Sequence, residues 1–221
     1  MTNLWSHLAE PAPRLLEAAW ALAGPDAIDP ARVGALGPAH AAADGVTPCS
    51  MNATIERWLV LSWIGAHPDA RDPLLAALWA REEAARATGL PTLVLRLAPL
   101  VGPRSPLLAL LKNHPKLDAR LERALVQPVI EADVVEGIAG LINGPFDQSD
   151  WYEVCGPDPL SIGEFAQLAQ AGHFGALAGA PGWEPSPAVL RAQGLSEGDA
   201  WARATGVAPH SILSPLHVGQ A

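Results

Sequence analysis

The chain has 221 residues, which is long enough for one ordinary domain with a buried core. Hydrophobic residues make up 49% of the chain and charged residues only 17%, a balance that excludes an intrinsically disordered protein. The formal net charge of −9 opposes contact with phosphate groups, so we exclude nucleic acids and anionic membranes as partners. Because few charged residues are available to cover the surface, we expect apolar surface and association with another protein or self-association.

The two cysteines, Cys49 and Cys155, stand far apart in the sequence and match no metal-ligand or redox spacing. We therefore expect no metal site and a reduced, cytoplasmic protein. The opening residues Met1–Arg14 lack the basic and apolar regions of a secretory leader. No apolar run reaches the roughly 20 residues that a membrane-spanning helix needs, so we expect no direct membrane insertion.

We predict that residues 1–52 form an atypical N-terminal part made of helices. Strong helix formers fill Pro13–Ala23, and Gly24 follows as a stop signal. The apolar residues of this helix share one face: Leu15, Leu16, Ala19 and Leu22. Further along, the spacing of glycine and proline permits only short helices, which we predict at Asp29–Leu36 and Ala39–Ala43.

We predict that residues 53–156 form a core built around one strand-helix-strand unit. The run from Arg57 to Ala66 is apolar and of strand length, and Thr92–Leu100 repeats this pattern. Between them, Pro73–Thr88 has helical spacing, a proline at its first position and Gly89 as its stop. Two strands joined by a helix of this length lie parallel, so we predict a parallel sheet.

The remaining segments predict further helices around one more strand, Trp151–Cys155. Ser161 and Glu164 have the spacing of a capping box, in which two side chains cap each other's backbone donors, and they open a helix through Gln170. We assign residues 157–221 to a C-terminal lobe and the whole chain, 1–221, to a single domain. The other predicted helices are Pro106–Leu111, Leu117–Ala124, Ala132–Ile142, Pro187–Ala192 and Ser196–Thr205.

Four segments in this order and spacing resemble the atypical short-chain dehydrogenase/reductases that bind NAD(P). They are LVLSWIGAHPDARDP, REEAARATGLPTLVLRLAPLVGP, QPVIEADVVEGIAGLI and YEVCGPDPLSIGEFAQLA, and they cover roughly residues 56–170. This group includes NmrA-like sensors and the NAD(P)H-binding accessory subunit of respiratory complex I. The resemblance implies an α/β fold, a Rossmann-like three-layer parallel sheet, here reduced at the N-terminus and followed by a small helical C-terminal lobe.

The chain departs from this family at the positions that carry its chemistry. The family's catalytic tyrosine and lysine align with Leu74 and Leu78, neither of which can move a proton. Its hydroxyl-bearing pair has become Ser62 and Trp63, so one hydroxyl remains beside a large ring. The resemblance therefore implies no catalytic residues here, and Ser62, Leu74 and Leu78 are vestigial positions.

The Gly-rich turn that holds a pyrophosphate in this family also has no counterpart upstream of Arg57. The only upstream cluster, Gly34 to Gly37, follows no predicted strand and lacks the required spacing. The resemblance places any remaining cofactor cleft at Ser62, Trp63, Pro99 and Leu100. We predict no cofactor and keep NAD(P) as the alternative.

Other conspicuous residues have ordinary structural interpretations. Arg96 interrupts an apolar strand and needs a buried partner, for which Glu82 or Glu83 on the preceding helix is the candidate. Asp133 is expected to cap the helix that it opens. We expect loop residues and not metal ligands at His67, Asp69 and Asp72.

Three functions follow from these patterns. The first is a non-catalytic member of the family that serves as a scaffold, accessory or binding subunit. The second is an NAD(P)-dependent oxidoreductase or isomerase, for which Cys155, His67 and Tyr152 are the remaining candidate proton carriers. The third is an NmrA-like sensor that binds a dinucleotide or another small molecule without turnover.

Overall fold

The protein was analysed as a computed structural model that describes residues 12–24, 32–36, 55–102, 105, 107–108, 111, 119–144, 150–174, 195–196 and 198–214. Helices and strands alternate through this part of the chain, as in an α/β fold. In chain order the elements are α1 (Ala12–Ala23), β1 (Val33–Leu36), β2 (Arg57–Trp63), α2 (Pro73–Arg86), β3 (Thr92–Leu97), β4 (Leu100–Val101), α3 (Ala119–Glu122), β5 (Leu125–Val126), β6 (Val129–Ile130), α4 (Glu131–Asn143), β7 (Asp150–Val154), β8 (Leu160–Ser161), α5 (Ile162–Gln170) and α6 (Asp199–Thr205).

The main sheet has four parallel strands in the order β1-β2-β3-β7. Helix α2 packs on one face of this sheet, while α1, α4 and α6 lie on the other face. This arrangement confirms the predicted three-layer α/β fold with a parallel sheet. We call these four strands and four helices the sheet unit.

Strand β2 and strand β3 set the register of the central side chains. Ser62 lies opposite Arg96, and Arg96 in turn lies opposite Glu153 of β7. Because side chains alternate along a strand, these three residues point to the same face, the one covered by α2. The polar positions of three neighbouring strands therefore meet beneath one helix.

Helix α1 confirms the helix predicted over Pro13–Ala23. Leu15, Leu16 and Ala19 are fully buried in the core of the sheet unit, as their spacing predicts. Leu22, the fourth residue of the predicted apolar face, is 59% exposed. The chain leaves the helix through Gly24, whose φ of 80° lies in the left-handed region that favours glycine.

The predicted helix over Asp29–Leu36 is wrong for Val33–Leu36, which form strand β1 in parallel register with β2. Gly34 of the Gly34–Gly37 cluster is itself part of β1. A Cβ at Gly34 would collide with the indole ring of Trp58, so glycine is what lets that ring lie against β1. Four residues carry too little periodicity to separate a strand from a helix.

The helix predicted at Ala39–Ala43 lies outside the described residues.

A second, smaller core lies beside the sheet unit. Short strand pairs β4-β6 and β5-β8 lead into it, and α3 and α5 enclose apolar residues such as Phe165 and Ile162. Leu107, Leu108 and Leu111 are helical and buried there, which agrees with the predicted Pro106–Leu111 helix at the described positions. We call α3, α5, β5, β8 and the apolar residues packed on them the lobe.

Local signals in the C-terminal half are largely confirmed. The capping box is present, since the Ser161 hydroxyl accepts the Glu164 amide hydrogen and the Glu164 carboxylate accepts the Ser161 amide hydrogen. The Ser161 amide and the Ser161 hydroxyl both donate to the Glu164 carboxylate, and these bonds to its charged form lower the pKa of Glu164. The predicted Ser196–Thr205 helix is confirmed only from Asp199, and Pro187–Ala192 lies outside the described residues. Among the helices described, none has the length and apolar character required to cross a bilayer.

Candidate functional site

A buried carboxylate joins β2, β3 and α2. Glu82 on α2 is fully buried, and the Ser62 hydroxyl donates a 2.6 Å hydrogen bond to its Oε1. The Arg96 guanidinium donates to both carboxylate oxygens, with Nε 3.1 Å from Oε1 and Nη2 2.7 Å from Oε2. Of the two candidate partners of Arg96, the structure selects Glu82, which confirms that a buried arginine here needed an acid from α2.

Two tryptophans enclose the Arg96 guanidinium. Its central carbon lies 5.3 Å from the ring centroid of Trp79 on α2 and 4.9 Å from that of Trp151 on β7. Both distances fall within the range of favourable cation–π contact. Arg96 is therefore held by charge on one side and by two aromatic rings on its flanks, with only 13% of its side chain exposed.

The network of Ser62, Glu82 and Arg96 leaves Ser62 little scope for chemistry. Its hydroxyl is 1% exposed and already donates to a carboxylate, so it cannot donate that hydrogen to a bound molecule without breaking the network. Ser62 also faces the middle of α2, two turns beyond Leu74. The Ser62 hydroxyl is thus committed to a buried hydrogen bond inside the protein.

Leu74 and Leu78 lie in an apolar cluster with Trp63. Leu78 and Trp63 are 1% and 6% exposed and pack with Leu75 and Ala66, and Leu74 packs against this group. The N-terminal end of α2 therefore meets the end of β2 through hydrophobic contacts.

The four residues of the predicted cofactor cleft are buried in different surroundings. Ser62 bonds to Glu82, Trp63 belongs to the α2 cluster, and Leu100 belongs to the core of the sheet unit. Pro99 is buried between β3 and β4, where its carbonyl accepts the Val129 amide hydrogen at 3.0 Å. That these residues contact a cofactor stays a prediction.

Asp133 does not cap α4, so its predicted role is wrong. The N-cap of α4 is Ile130, which makes no side-chain cap hydrogen bond. Both oxygens of the buried Asp133 carboxylate instead bind His210, at 2.7 Å to its amide nitrogen and 2.8 Å to Nδ1. Sequence reasoning missed His210 because 77 residues separate the two partners and no local pattern links them.

The remaining candidate residues have structural partners. Asp72 accepts the Leu74 amide hydrogen at 2.9 Å and so caps α2. His67 accepts the Asp69 amide hydrogen at Nδ1 within an exposed loop. Burial raises the pKa of the Cys155 thiol, which makes a reactive thiolate harder to form. Within the described ranges, no group of three acidic, histidine or cysteine side chains could hold a metal ion.

Tyr152 is held in its neutral form on β7. Burial, followed by the hydrogen bond to Asp150 and the negative charge of Asp150, raises its pKa to about 12. The hydroxyl donates to Asp150 Oδ2 at 2.8 Å, and the ring meets Trp201 edge to face at 6.4 Å. Tyr152 is thus a poor source of protons near neutral pH and lies on the face opposite to Ser62.

This pKa gives a direct prediction, because Tyr152 is the only tyrosine in the chain. An ultraviolet titration of the folded protein should show tyrosinate forming near pH 12 instead of near the ordinary value of 10.0. The unfolded chain loses this proton first, so the stability that Tyr152 contributes is complete below pH 10.0 and is lost as pH rises to about 12.

The matched variants test the cause of the shift in Tyr152. Asp150→Asn removes the adjacent charge and should lower the midpoint, whereas Asp69→Asn in a distant exposed loop should leave it unchanged. A midpoint near 10.0 in the unaltered protein would contradict the described environment of Tyr152.

Comparison with known proteins links this geometry to solved structures. No protein-family model matches the chain, and no curated sequence matches it. A nucleoside-diphosphate-sugar epimerase from Staphylococcus aureus superposes with a TM-score of 0.53 at 14% identity, over 72% of this chain and 63% of that chain. UDP-glucuronic acid 4-epimerase from Bacillus cereus, in complex with UDP-glucuronic acid and NAD, superposes with a TM-score of 0.54 at 12% identity, over 73% and 59%.

A third match is UDP-glucose 4-epimerase from Thermotoga maritima, with a TM-score of 0.50 at 15% identity over 70% of this chain and 59% of that chain. The aligned region thus spans about 60% of the length of these enzymes. Identities this low establish the fold alone. The chain therefore has the Rossmann-like fold of the nucleotide-sugar epimerases, as its resemblance to the atypical short-chain dehydrogenase/reductases implies.

Proposed function

We propose that the chain is a non-catalytic protein of short-chain dehydrogenase/reductase type that serves as a scaffold, accessory or binding subunit. The observation that carries this proposal is the state of the three positions where the family keeps its chemistry. Leu74 and Leu78 replace the tyrosine and lysine and pack with Trp63, while the Ser62 hydroxyl is committed to Glu82. An active site of this family needs a proton carrier at the first of these positions.

The residues that could replace the missing acid do not favour catalysis. Burial raises the pKa of Cys155, and Tyr152 has a pKa of about 12 and lies on the opposite face of the sheet from Ser62. His67 is in an exposed loop beside Trp79. None of the three is placed beside Ser62 in the manner of an acid-base pair.

The alternative functions keep a nucleotide site. The solved structure of UDP-glucuronic acid 4-epimerase contains NAD, so an NAD(P)-dependent oxidoreductase or isomerase, or an NmrA-like sensor, is the second candidate. Both need a cofactor held by the cleft residues Ser62, Trp63, Pro99 and Leu100. Their burial in separate contacts favours the scaffold.

A cofactor titration separates these functions. The purified protein is titrated with NADH, NADPH, NAD and NADP, while quenching of its tryptophan fluorescence is followed and calorimetry checks each result. We expect no saturable binding up to millimolar cofactor. The Bacillus cereus UDP-glucuronic acid 4-epimerase serves as the positive control in the same buffer. Saturable binding at micromolar cofactor would contradict the proposal and favour the enzyme or the sensor.

The proposed scaffold also requires a partner, either another protein or a second copy of the chain. Large apolar side chains stand exposed at several described positions: Leu22, Leu125, Trp151, Leu195 and Leu213. Light scattering of the purified protein should give a mass of at least twice 23.1 kDa if the chain pairs with itself. A monodisperse species of 23.1 kDa at high concentration would contradict self-association and leave a different protein as the partner.

A further inference from the structure

Strand β7 is an edge of the main sheet as the structure describes it, with β3 on its inner side. The Val154 carbonyl accepts the Ala98 amide hydrogen at 2.9 Å, so Val154 directs its backbone groups toward β3. Because successive residues of a strand direct their backbone groups to opposite sides, those of Trp151 and Glu153 point away from β3. We call the outward backbone groups of Trp151 and Glu153, two amides and two carbonyls, the outer edge.

Three of the four groups of the outer edge keep their capacity for hydrogen bonds. The Trp151 amide donates its hydrogen to Oδ1 of Asp150 at 2.8 Å. Among the described residues, none bonds to the Trp151 carbonyl, the Glu153 amide or the Glu153 carbonyl. Such groups along the edge of a sheet are a template for a further strand. The outer edge therefore has the donors and acceptors that strand addition uses.

The side chains around the outer edge give it a negative charge. Glu153, on the face of α2, is partly buried, and Asp150, on the opposite face, is exposed. Within the described ranges, neither carboxylate forms an ion pair. Arg96 lies beside Glu153 in register, but it donates to both carboxylate oxygens of Glu82, which balance its charge. Opposite charges on neighbouring strands stabilise a sheet, so this edge favours a positively charged occupant.

Trp151 adds an aromatic surface to the same edge. Arg96 lies over its ring, with the guanidinium carbon 4.9 Å from the ring centroid, and half of the Trp151 surface is still exposed. An indole ring attracts cations, so the exposed part of Trp151 can contact a second one. Neighbouring side chains on one face of a sheet lie about 5 Å apart across two strands. A lysine or arginine in a strand beside β7 would therefore reach both the Trp151 ring and the Glu153 carboxylate.

We propose that the outer edge binds an extended, basic segment of another protein as an added strand, with a lysine or arginine of that segment against Trp151. This inference rests on the proposed function, because it names the surface through which the scaffold would hold its partner. A second copy of the chain fits the outer edge less well. Pairing of two β7 strands would bring Asp150 and Glu153 of each copy near the same carboxylates of the other, and each chain has a net charge of −9.

Two synthetic peptides of about eight residues, within the usual length of a strand, test the proposal on the full chain. One peptide alternates arginine with valine, the other alternates glutamate with valine, and calorimetry measures the binding of each. We expect saturable binding of the basic peptide alone. At saturation, NMR should show that exchange of the Glu153 amide hydrogen slows by at least about tenfold, because that group becomes bonded to the peptide. The Val154 amide, which points toward β3, is the internal reference.

Three variants locate the binding of the basic peptide. Glu153→Pro removes the outward amide hydrogen at a position where an edge strand tolerates proline, and should weaken binding by at least about tenfold. Trp151→Ala and Glu153→Gln should each weaken it by about two- to fivefold, the effect of losing one exposed cation–π contact or one exposed ion pair. Asp69→Asn is the matched control, because it removes a carboxylate that is 91% exposed in the loop before α2, and binding should stay unchanged.

Equal binding of the two peptides, no binding of the basic peptide at millimolar concentration, or unchanged binding in all three variants would each overturn the proposal. A dimer in light scattering that Glu153→Pro converts to a monomer would also overturn it, because the occupant would then be a second copy. If Glu153→Pro fails to fold, Trp151→Ala and Glu153→Gln still provide the test. A cofactor titration of the same samples keeps the two proposals distinguishable: binding of NAD(P) contradicts the proposed function, whereas failure to bind the basic peptide contradicts only this inference.

Discussion

Replacing Glu82 by alanine should lower the free energy of unfolding by roughly 3–5 kcal/mol, the usual cost of leaving one member of a buried ion pair without its partner. The Arg96 guanidinium would keep its charge beneath α2 with two of its donors unsatisfied. The Ser62 hydroxyl would lose its acceptor as well. Alanine favours the helix, so the loss cannot be attributed to helix propensity.

The neighbouring acid provides the matched control for Glu82. Glu83 is half exposed and pairs with Arg86 at 2.5 Å on the surface of the same helix. Exposed pairs of this kind contribute about 0.2–1 kcal/mol, so Glu83→Ala should cost far less than Glu82→Ala. Chemical denaturation of both variants measures the difference. Equal losses would show that burial of the Glu82 carboxylate does not determine its contribution.

Replacing all three residues of the Ser62, Glu82 and Arg96 network tests the same interaction by removing both buried charges together. A variant with Glu82→Leu, Arg96→Met and Ser62→Ala has no buried charge left to satisfy. Replacing a buried ion pair by apolar residues is often neutral or stabilising. We therefore expect this triple variant to unfold at higher denaturant than Glu82→Ala, and a lower midpoint would contradict the ion-pair explanation.

Trp201→Ala is the second large effect, with an expected loss of roughly 3–5 kcal/mol from the cavity that it leaves. The indole is fully buried between α4 and β7, where it contacts Gly137 and meets the Tyr152 ring. Trp201 Nε1 has no hydrogen-bond partner among the described residues, so the loss should come from packing and not from a broken hydrogen bond. Equilibrium unfolding in denaturant measures it.

A substitution at Gly137 tests whether its contact with the Trp201 ring accounts for this loss of stability. A Cβ at this position would overlap the Trp201 ring, with 2.7 Å to its Cη2, so Gly137→Ala should destabilise by roughly 1–3 kcal/mol through overpacking. In the Trp201→Ala background the space is open, and the same glycine substitution should cost little. Additive losses in the double variant would show that the two residues do not contact each other.

Trp151→Ala serves as the comparison for Trp201. Half of the Trp151 surface is exposed, and its described role is the contact with Arg96. We expect a loss of about 0.5–1 kcal/mol, the usual range for a cation–π contact near the surface. A loss as large as that of Trp201→Ala would contradict the exposed position of Trp151.

The sequence by itself determined the elements whose signals are local. The apolar runs of β2 and β3, the proline that opens α2 and the capping box of α5 each act within a few residues. The parallel pairing of β2 with β3 followed from the length of the connection between them. For the site, the sequence narrowed the partner of Arg96 to two adjacent acids, while the alignment of the family's catalytic pair with Leu74 and Leu78 stays a prediction.

Only the tertiary structure decided the interactions between distant parts of the chain. Strand β1 exists because β2 offers it a parallel edge, and its four residues alone indicate no strand. Glu82 and not Glu83 reaches Arg96 because the helical phase of α2 over β3 turns one acid inward and the other to solvent. Asp133 binds His210 across 77 residues. Local patterns cannot encode such pairings, since they depend on how packed elements are oriented in space.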